Sequence, residues 1–298
     1  MTINRRRAPS SSISSEKKLG GHSREETFAD YIGGLVIKGT QKADVKDKLG
    51  NLYSVKSGKK WQIFLYNYNR ISSSNHLKIL QDCLDCFTND TKQYFKDRVK
   101  CIEYKENYVR MYGREKAKYL SNSEVEDALG SNEYISSKNK LQDRTKLVRE
   151  ILKNPSSLRS FLDEAIFNNN EVSLWAIKDS TFEKDGMFKV FARDDVLDIF
   201  CKEILIETSK AGKVPEDYNV AGQKTLLRYL KNGKPKNIGE IEVRNDSAAK
   251  YKLVRFNIYS KDALGLLLSE KSNLSRFCVG SNVIVFGKAN QIMNLNLS

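Results

Sequence analysis

The sequence predicts an α/β (α+β) chain with a strand-and-helix core, a largely helical middle and a C-terminal α+β segment. Three observations predict it. Short β-rich runs bounded by Gly and Asn lie between residues 35 and 57, directly after a helical pattern that starts at Ser23. Apolar residues recur at helical spacing over much of 76–170, with polar breaks at 121–137 and at Asn154-Pro155. Beyond that, "VSLWAIKD", "MFKVFARD", "IGEIEVRND" and "KYKLVRFNIYS" read as strands around the helix "DDVLDIFCKEIL". A chain of 298 residues with 40% hydrophobic content can bury a sizeable core.

Taken in order, residues 1–22 are basic and Ser-rich and are expected to form a disordered arm. Ser23-Arg24-Glu25-Glu26 has the pattern of a capping box, Ser23 capping and Glu26 reaching back. Phe28, Ala29 and Ile32 mark the apolar face of the helix, and Gly33-Gly34 ends it. "LVIKG", "KADVK" and "NLYSVKS" read as strands, the last two joined by a turn at Leu49-Gly50-Asn51. Trp61, Phe64, Leu65, Tyr68 and Ile71 then fall at i, i+3, i+4, i+7 and i+10, which predicts a helix. A small helix is expected near Ala263 to Leu268. The chain divides into the arm 1–22, a core with helical insertions over 23–210, and the C-terminal segment 211–298, with a loop near Ala211 to Tyr218.

Charge narrows the class of partner. Lys and Arg number 51 against 37 Asp and Glu, a formal net charge of +14. That excess favours a polyanion, because each neutralised phosphate releases condensed counterions. No apolar run approaches the ~20 residues of a membrane helix, and the N-terminus lacks the apolar centre of a secretory signal. The five cysteines, Cys83, Cys86, Cys101, Cys201 and Cys278, are odd in number and irregularly spaced. They fit a reducing cytoplasm better than a disulfide framework. Cys83 and Cys86 lie in a helical pattern without partners for a zinc site, and read as core.

The chemistry centres on "KADVKDKLGNLYSVKSGKKWQ", residues 42–62. On a β-hairpin, one strand offers a carboxylate and the next offers residues i and i+2 on the same face. Asp44, Ser54 and Lys56 meet that pattern, while Val55 points the other way. Carboxylates suit Mg²⁺, and a nearby lysine can orient an attacking water or offset developing charge. Asp and Lys on a solvated hairpin are also ordinary. A second acidic pattern, Glu240 and Glu242 with Arg244 on one strand face and Asp246 after it, suits DNA contacts or a polar strand face, and is a further source of carboxylates.

With helix, hairpin and helix in that order, residues 23–71 resemble the PD-(D/E)xK nuclease superfamily, to which most type II restriction endonucleases belong. Asp44 matches the first acidic residue and Lys56 the lysine. Ala43 stands at the proline and Ser54 at the second acidic position, giving an SxK variant. The resemblance implies a restriction-endonuclease-like core, a mixed sheet flanked by helices, and Mg²⁺-dependent, sequence-specific cleavage of double-stranded DNA. It implies Asp44 and Glu25 as metal ligands, Lys56 acting on the water, and Ser54 holding a metal-bound water. It also implies a homodimer and a separately encoded cognate methyltransferase. DNA contacts are expected from Lys59, Lys60, Gln62, Asn67, Asn69 and Arg70 beside the site and from Lys231, Lys234 and Lys236 in a basic loop. Two alternatives stay open: a repair or junction nuclease of the same superfamily, and a non-catalytic DNA-binding protein with a degenerate site.

Overall fold

The computed structural model describes residues 23–39, 42–67, 78, 104, 106–117, 119–120, 124, 127, 146–178, 186–208, 224–244, 253–269 and 273–288. The arm 1–22, the loop at 211–218, Cys83, Cys86 and Cys101, and the site candidates Asn69 and Arg70 lie outside them. The fold is mixed α+β, with a seven-stranded mixed sheet, a five-stranded antiparallel sheet and helices. Two compact units divide the described residues. One takes those of 23–61, 166–200 and 260–288; the other takes those of 62–165 and 201–259. Each unit is discontinuous in sequence, whereas the sequence suggested one cut at 210/211.

The first unit opens with α1 (23–32), then β1 (Leu35–Val36), β2 (Val45–Lys46) and β3 (Leu52–Ser57). These strands form an antiparallel meander, pairing Val36 with Val45 and Val45 with Tyr53. β5 (Leu174–Lys178) lies parallel to β3, and β6 (Phe188–Ala192) antiparallel to β5. The C-terminal hairpin completes the sheet, with β12 (Val283–Gly287) parallel to β6 and β11 (Ser275–Val279) at the edge. Gly34 links α1 to β1, where a Cβ would meet the Lys46 carbonyl oxygen at 2.7 Å.

Strand alternation assigns the two faces of this sheet. Val45, Tyr53, Val55, Leu174, Ala176, Phe188, Val190, Val283 and Val285 form one core with Phe28 and Ala29 of α1. Phe28 sits edge-on to Tyr53, ring centroids 5.2 Å apart. Trp175 and Phe191 project from the opposite face. There Trp175 meets Trp61, Phe167 and Phe200 of α5 (Arg193–Glu203) at 5.3, 6.4 and 6.3 Å. α5 is tied to the end of β12 by Asp195, whose buried carboxylate accepts from the Lys288 amide at 3.3 Å.

The second unit contains β4 (Lys60–Asn67), β7 (Leu205–Thr208), β8 (Lys224–Lys231), β9 (Lys234–Arg244) and β10 (Leu253–Tyr259), in the order β4-β10-β9-β8-β7. The first two residues of β4 belong to the first unit. β9 and β10 pair as the sequence suggests, Glu240 opposite Asn257. Helices α2 (106–117), α3 (146–153) and α4 (Pro155–Leu162) stand in the expected helical middle. Asn154 caps α4, its side chain accepting from the amides of Ser156 and Ser157, with Pro155 at the first position. A π-helical turn (Asp163–Phe167) follows. α6 (Ser260–Leu267) returns the chain to the first unit. Among the described residues no helix is long and apolar enough to cross a membrane.

One sequence expectation is corrected. Residues 60–67 form a strand and not a helix. Trp61 and Ile63 are buried and Gln62 between them is exposed, a period of two. The run is rich in aromatic and β-branched residues, which favour a pleated surface, and its helical spacing was coincidental. Gly58, at φ +85°, allows the turn between β3 and β4.

Candidate active site

Asp44 is held by backbone before its side chain does anything. Its N–H donates to the Tyr53 carbonyl at 2.8 Å, and its carbonyl accepts from the Ile37 N–H at 2.9 Å. Ala43 and Val45 on either side are buried. Val45 points to the α1 face, so Asp44 projects to the other, the face that receives Ser54 and Lys56 from β3. There a single carboxylate oxygen, Asp44 Oδ2, collects three donors: the Val55 amide at 2.6 Å, Lys56 Nζ at 3.0 Å and Ser54 Oγ at 3.3 Å. Lys56 Nζ also donates to the Val55 carbonyl at 3.0 Å. Oδ1 accepts none of these bonds. The Asp44 and Lys56 side chains are each 19% exposed, and Ser54 is fully buried. Two partly exposed charged groups thus stand beside a fully buried serine.

The structure brings Asp44, Ser54 and Lys56 together and sets Glu25 on the other face of the sheet. Glu25 is half-buried on α1, and α1 packs on the face bearing Val45, Tyr53 and Val55. It therefore approaches the sheet from the side opposite to Ser54 and Lys56. Ser23 lies within the helix, its carbonyl accepting from Thr27 Oγ1, and Glu26 is exposed. Glu240 and Glu242 belong to the second unit and are matched by cations of their own sheet. Lys224 Nζ lies 3.1 Å from Glu240 and 3.6 Å from Glu242, and Arg255 pairs with Glu242. Among the described residues no group of three or more His, Cys, Asp or Glu side chains is arranged to hold a metal.

No protein-family model, curated protein or solved structure matches the chain.

For a divalent cation, the residues present fit in part. Mg²⁺ is commonly held by one or two carboxylates, with waters and substrate phosphates completing its shell. Asp44 Oδ1 takes no bond from Ser54, Val55 or Lys56. Ser54 Oγ is a weaker, neutral oxygen beside it.

A neighbouring carboxylate went unremarked in the sequence. Asp47 accepts from the amides of Leu49 and Asn51, from Asn51 Nδ2 and from the Tyr53 hydroxyl, at 2.8–2.9 Å. It shapes the β2–β3 turn, and the Asp-Lys-Leu-Gly run was its signal. Burial pushes the Tyr53 phenol well above its ordinary range, and the charge and hydrogen bond of Asp47 push it further. Lys189 on β6 was also missed. It is buried on the face of Ser54 and Lys56, in one cross-strand row with Lys56 through Ile177. A lysine in an alternating strand reads as a solvent position, and only the covering of both sheet faces makes it internal.

The expected DNA contacts lie on separate elements. Lys59, Lys60 and Gln62 are exposed at the β3–β4 turn and the start of β4. Asn67 ends β4, and its side chain lies outside the described residues. Lys231, Lys234 and Lys236 flank a tight β8–β9 turn and are all exposed; the segment is a hairpin and not a loop.

Proposed function

We propose that the chain is a Mg²⁺-dependent, sequence-specific endonuclease of double-stranded DNA, a type II restriction enzyme built on a restriction-endonuclease-like core. One observation carries the reading: Ser54 and Lys56 of β3 converge on a single oxygen of Asp44 from the preceding strand, at 3.3 and 3.0 Å. The net charge of +14 supports a polyanionic substrate. In this reading Asp44 would hold the metal, with Ser54 Oγ offering a neutral oxygen for its hydration shell. The metal supplies charge neutralisation and lowers the pKa of bound water. Lys56, released from Asp44 as a substrate phosphate enters, orients the attacking water. Glu25, which the resemblance implies as the second ligand, stands on the opposite face of the sheet, so waters and substrate phosphates would complete the shell of the metal. A homodimer would present one site to each strand of a twofold target.

A second reading rests on the same cluster. A site with one carboxylate, already hydrogen-bonded by three donors, also describes a nuclease fold retained for DNA binding alone. A repair or junction nuclease would share the geometry and differ in following DNA structure over sequence. Incubation of the full chain with phage-length duplex DNA, in Mg²⁺ or in EDTA, separates the three. The restriction reading expects discrete bands that need Mg²⁺ and vanish in Asp44→Ala and Lys56→Ala. Removing one such electrostatic group typically costs on the order of 10²–10³-fold in rate. Uncut DNA with salt-sensitive binding in all three proteins would leave the binding module. Cutting confined to branched or damaged DNA would leave the structure-selective nuclease.

A further inference from the structure

We propose that the β8–β9 hairpin is a basic ribbon that enters the major groove of duplex DNA, its lysines on backbone phosphates and its apolar pair toward the bases. The inference deepens the DNA-directed reading and rests on it. The hairpin turns in two residues, Asn232 at φ 51° and Gly233 at φ 72°. Positive φ at both is the tight turn whose twist matches paired strands. The register places Lys231 opposite Lys234, Leu230 opposite Pro235, Tyr229 opposite Lys236 and Arg228 opposite Asn237. Directly paired residues share a face. One face of the ribbon therefore carries Lys231, Lys234 and Lys236 above a buried Tyr229, and the other carries Leu230 and Pro235.

Three features set this ribbon apart from an ordinary solvated hairpin. It contains no acidic residue between Arg228 and Asn237. Like charges placed directly opposite each other destabilise a strand pair, yet Lys231 faces Lys234 and no ion pair to either, or to Lys236, exists among the described residues. A polyanion relieves that repulsion. The neighbouring cation, Arg228, is by contrast fixed at the base, its guanidinium on Glu207 at 2.5 Å and on Asn237 at 2.6 Å. Lastly, Leu230 is 46% exposed amid these charges.

The dimensions suit the groove. Leu226, Leu227 and Ile238 are buried and root the ribbon in its sheet, and a register shift between Leu227 and Arg228 marks its base. From Arg228 the strand runs three residues to Lys231, which at about 3.3 Å each gives a reach of roughly 10 Å. The major groove is about 8.5 Å deep and about 12 Å wide, and admits a two-stranded ribbon.

The test uses the full chain, a short duplex of random sequence and EDTA, so that binding is read without cleavage. Affinity is followed by fluorescence anisotropy from about 50 to 200 mM salt. The variant Lys231→Ala/Lys234→Ala/Lys236→Ala should lower the slope of log K against log salt by two to three, at about 0.9 per phosphate contact. Leu230→Ser should weaken binding with the slope unchanged. Glucosylation of the duplex in its major groove should abolish the difference between wild type and the triple variant. An unchanged slope in the triple variant, equal loss on glucosylated DNA, or stronger binding to RNA or to anionic vesicles than to the duplex would overturn the proposal. Its failure is separable from that of the nuclease reading. A wild type that cuts in Mg²⁺ while the triple variant binds with its slope intact refutes the ribbon alone. A wild type that never cuts, but loses slope in the triple variant, refutes the nuclease alone.

Discussion

Asp44 and Asp47 lie three residues apart, and their replacement should have opposite consequences. Asp47→Ala removes the acceptor of four hydrogen bonds. The Tyr53 hydroxyl that it strands belongs to a residue with no exposed surface, so water cannot replace the lost partner, at about 2 kcal/mol. The Leu49 and Asn51 amides lie nearer the surface and lose about 0.5–1 kcal/mol each. The sum is roughly 3–4 kcal/mol, a large share of a domain stability of about 5–15 kcal/mol. Asp44→Asn keeps an acceptor for the Val55 amide and Ser54, and gives up a partly exposed ion pair, worth about 1 kcal/mol or less. The assay is urea unfolding followed by tryptophan fluorescence. The chain has two tryptophans, Trp61 and Trp175, both buried in the unit that holds Asp44 and Asp47. Asp47→Ala should shift the midpoint strongly, and any activity should be recovered in proportion to the folded fraction. Asp44→Asn should leave the midpoint close to wild type and, on the proposed reading, abolish Mg²⁺-dependent cleavage. A wild-type midpoint for Asp47→Ala, or equal shifts in both variants, would refute this division of labour.

Three further outcomes follow from the same geometry. Burial holds the Asp195 carboxyl above its usual range, partly offset by the Lys288 amide and ammonium. A folded pKa above the unfolded one, about 3.9, gives stability that is full below that pH and is lost as pH rises through the folded value. Asp195→Asn should therefore be at least as stable as wild type at pH 7, with a flatter profile down to pH 4 in urea titrations; a clear loss at pH 7 would contradict it. Tyr53→Phe should cost about 1 kcal/mol at pH 8. Because the folded phenol titrates above the unfolded value of about 10, the advantage of wild type should shrink as pH rises past 10; midpoints that fall in parallel would count against it. Ser54→Asp puts a second carboxylate beside Asp44 Oδ2, now 3.3 Å from the serine hydroxyl. It should lower thermal stability in EDTA and restore it in Mg²⁺, as read by calorimetry with and without metal.

Several elements were legible from their short apolar and β-branched runs. β5, β6 and α5 stand where "LWAIK", "FKVFA" and the acidic-capped "RDDVLDIFCKE" place them, and β9 and β10 pair as read. Residues 60–67 misled because Trp61, Phe64 and Leu65 satisfy a helical spacing while Trp61, Gln62 and Ile63 satisfy a strand's, and local pattern does not choose between them. The β8–β9 hairpin read as a loop because its lysines hide the alternation. Asn232-Gly233 was the turn signal present all along. The seven-stranded sheet was not legible, because its neighbours β3 (ending at Ser57) and β5 (starting at Leu174), and likewise β6 (ending at Ala192) and β12 (starting at Val283), are far apart along the chain.

The site follows the same rule. Asp44, Ser54 and Lys56 were readable as one constellation because strand parity alone puts positions 54 and 56 on one face and Val55 on the other. Glu25 was assigned by the apolar stripe of α1, and that stripe is what sets it on the far side: Phe28 and Ala29 cover the face of Tyr53 and Val55. A residue brought inward by α1 meets the side of β3 that Ser54 and Lys56 leave. Ser54 itself pairs with Trp175 and is fully enclosed. A carboxylate there would be desolvated beside Asp44, a large cost unless a cation is always at hand. Serine satisfies the buried position with one hydroxyl hydrogen bond and no charge. On the proposed reading, the departure that weakens the metal site is therefore also the residue that lets this part of the sheet stay folded without a metal.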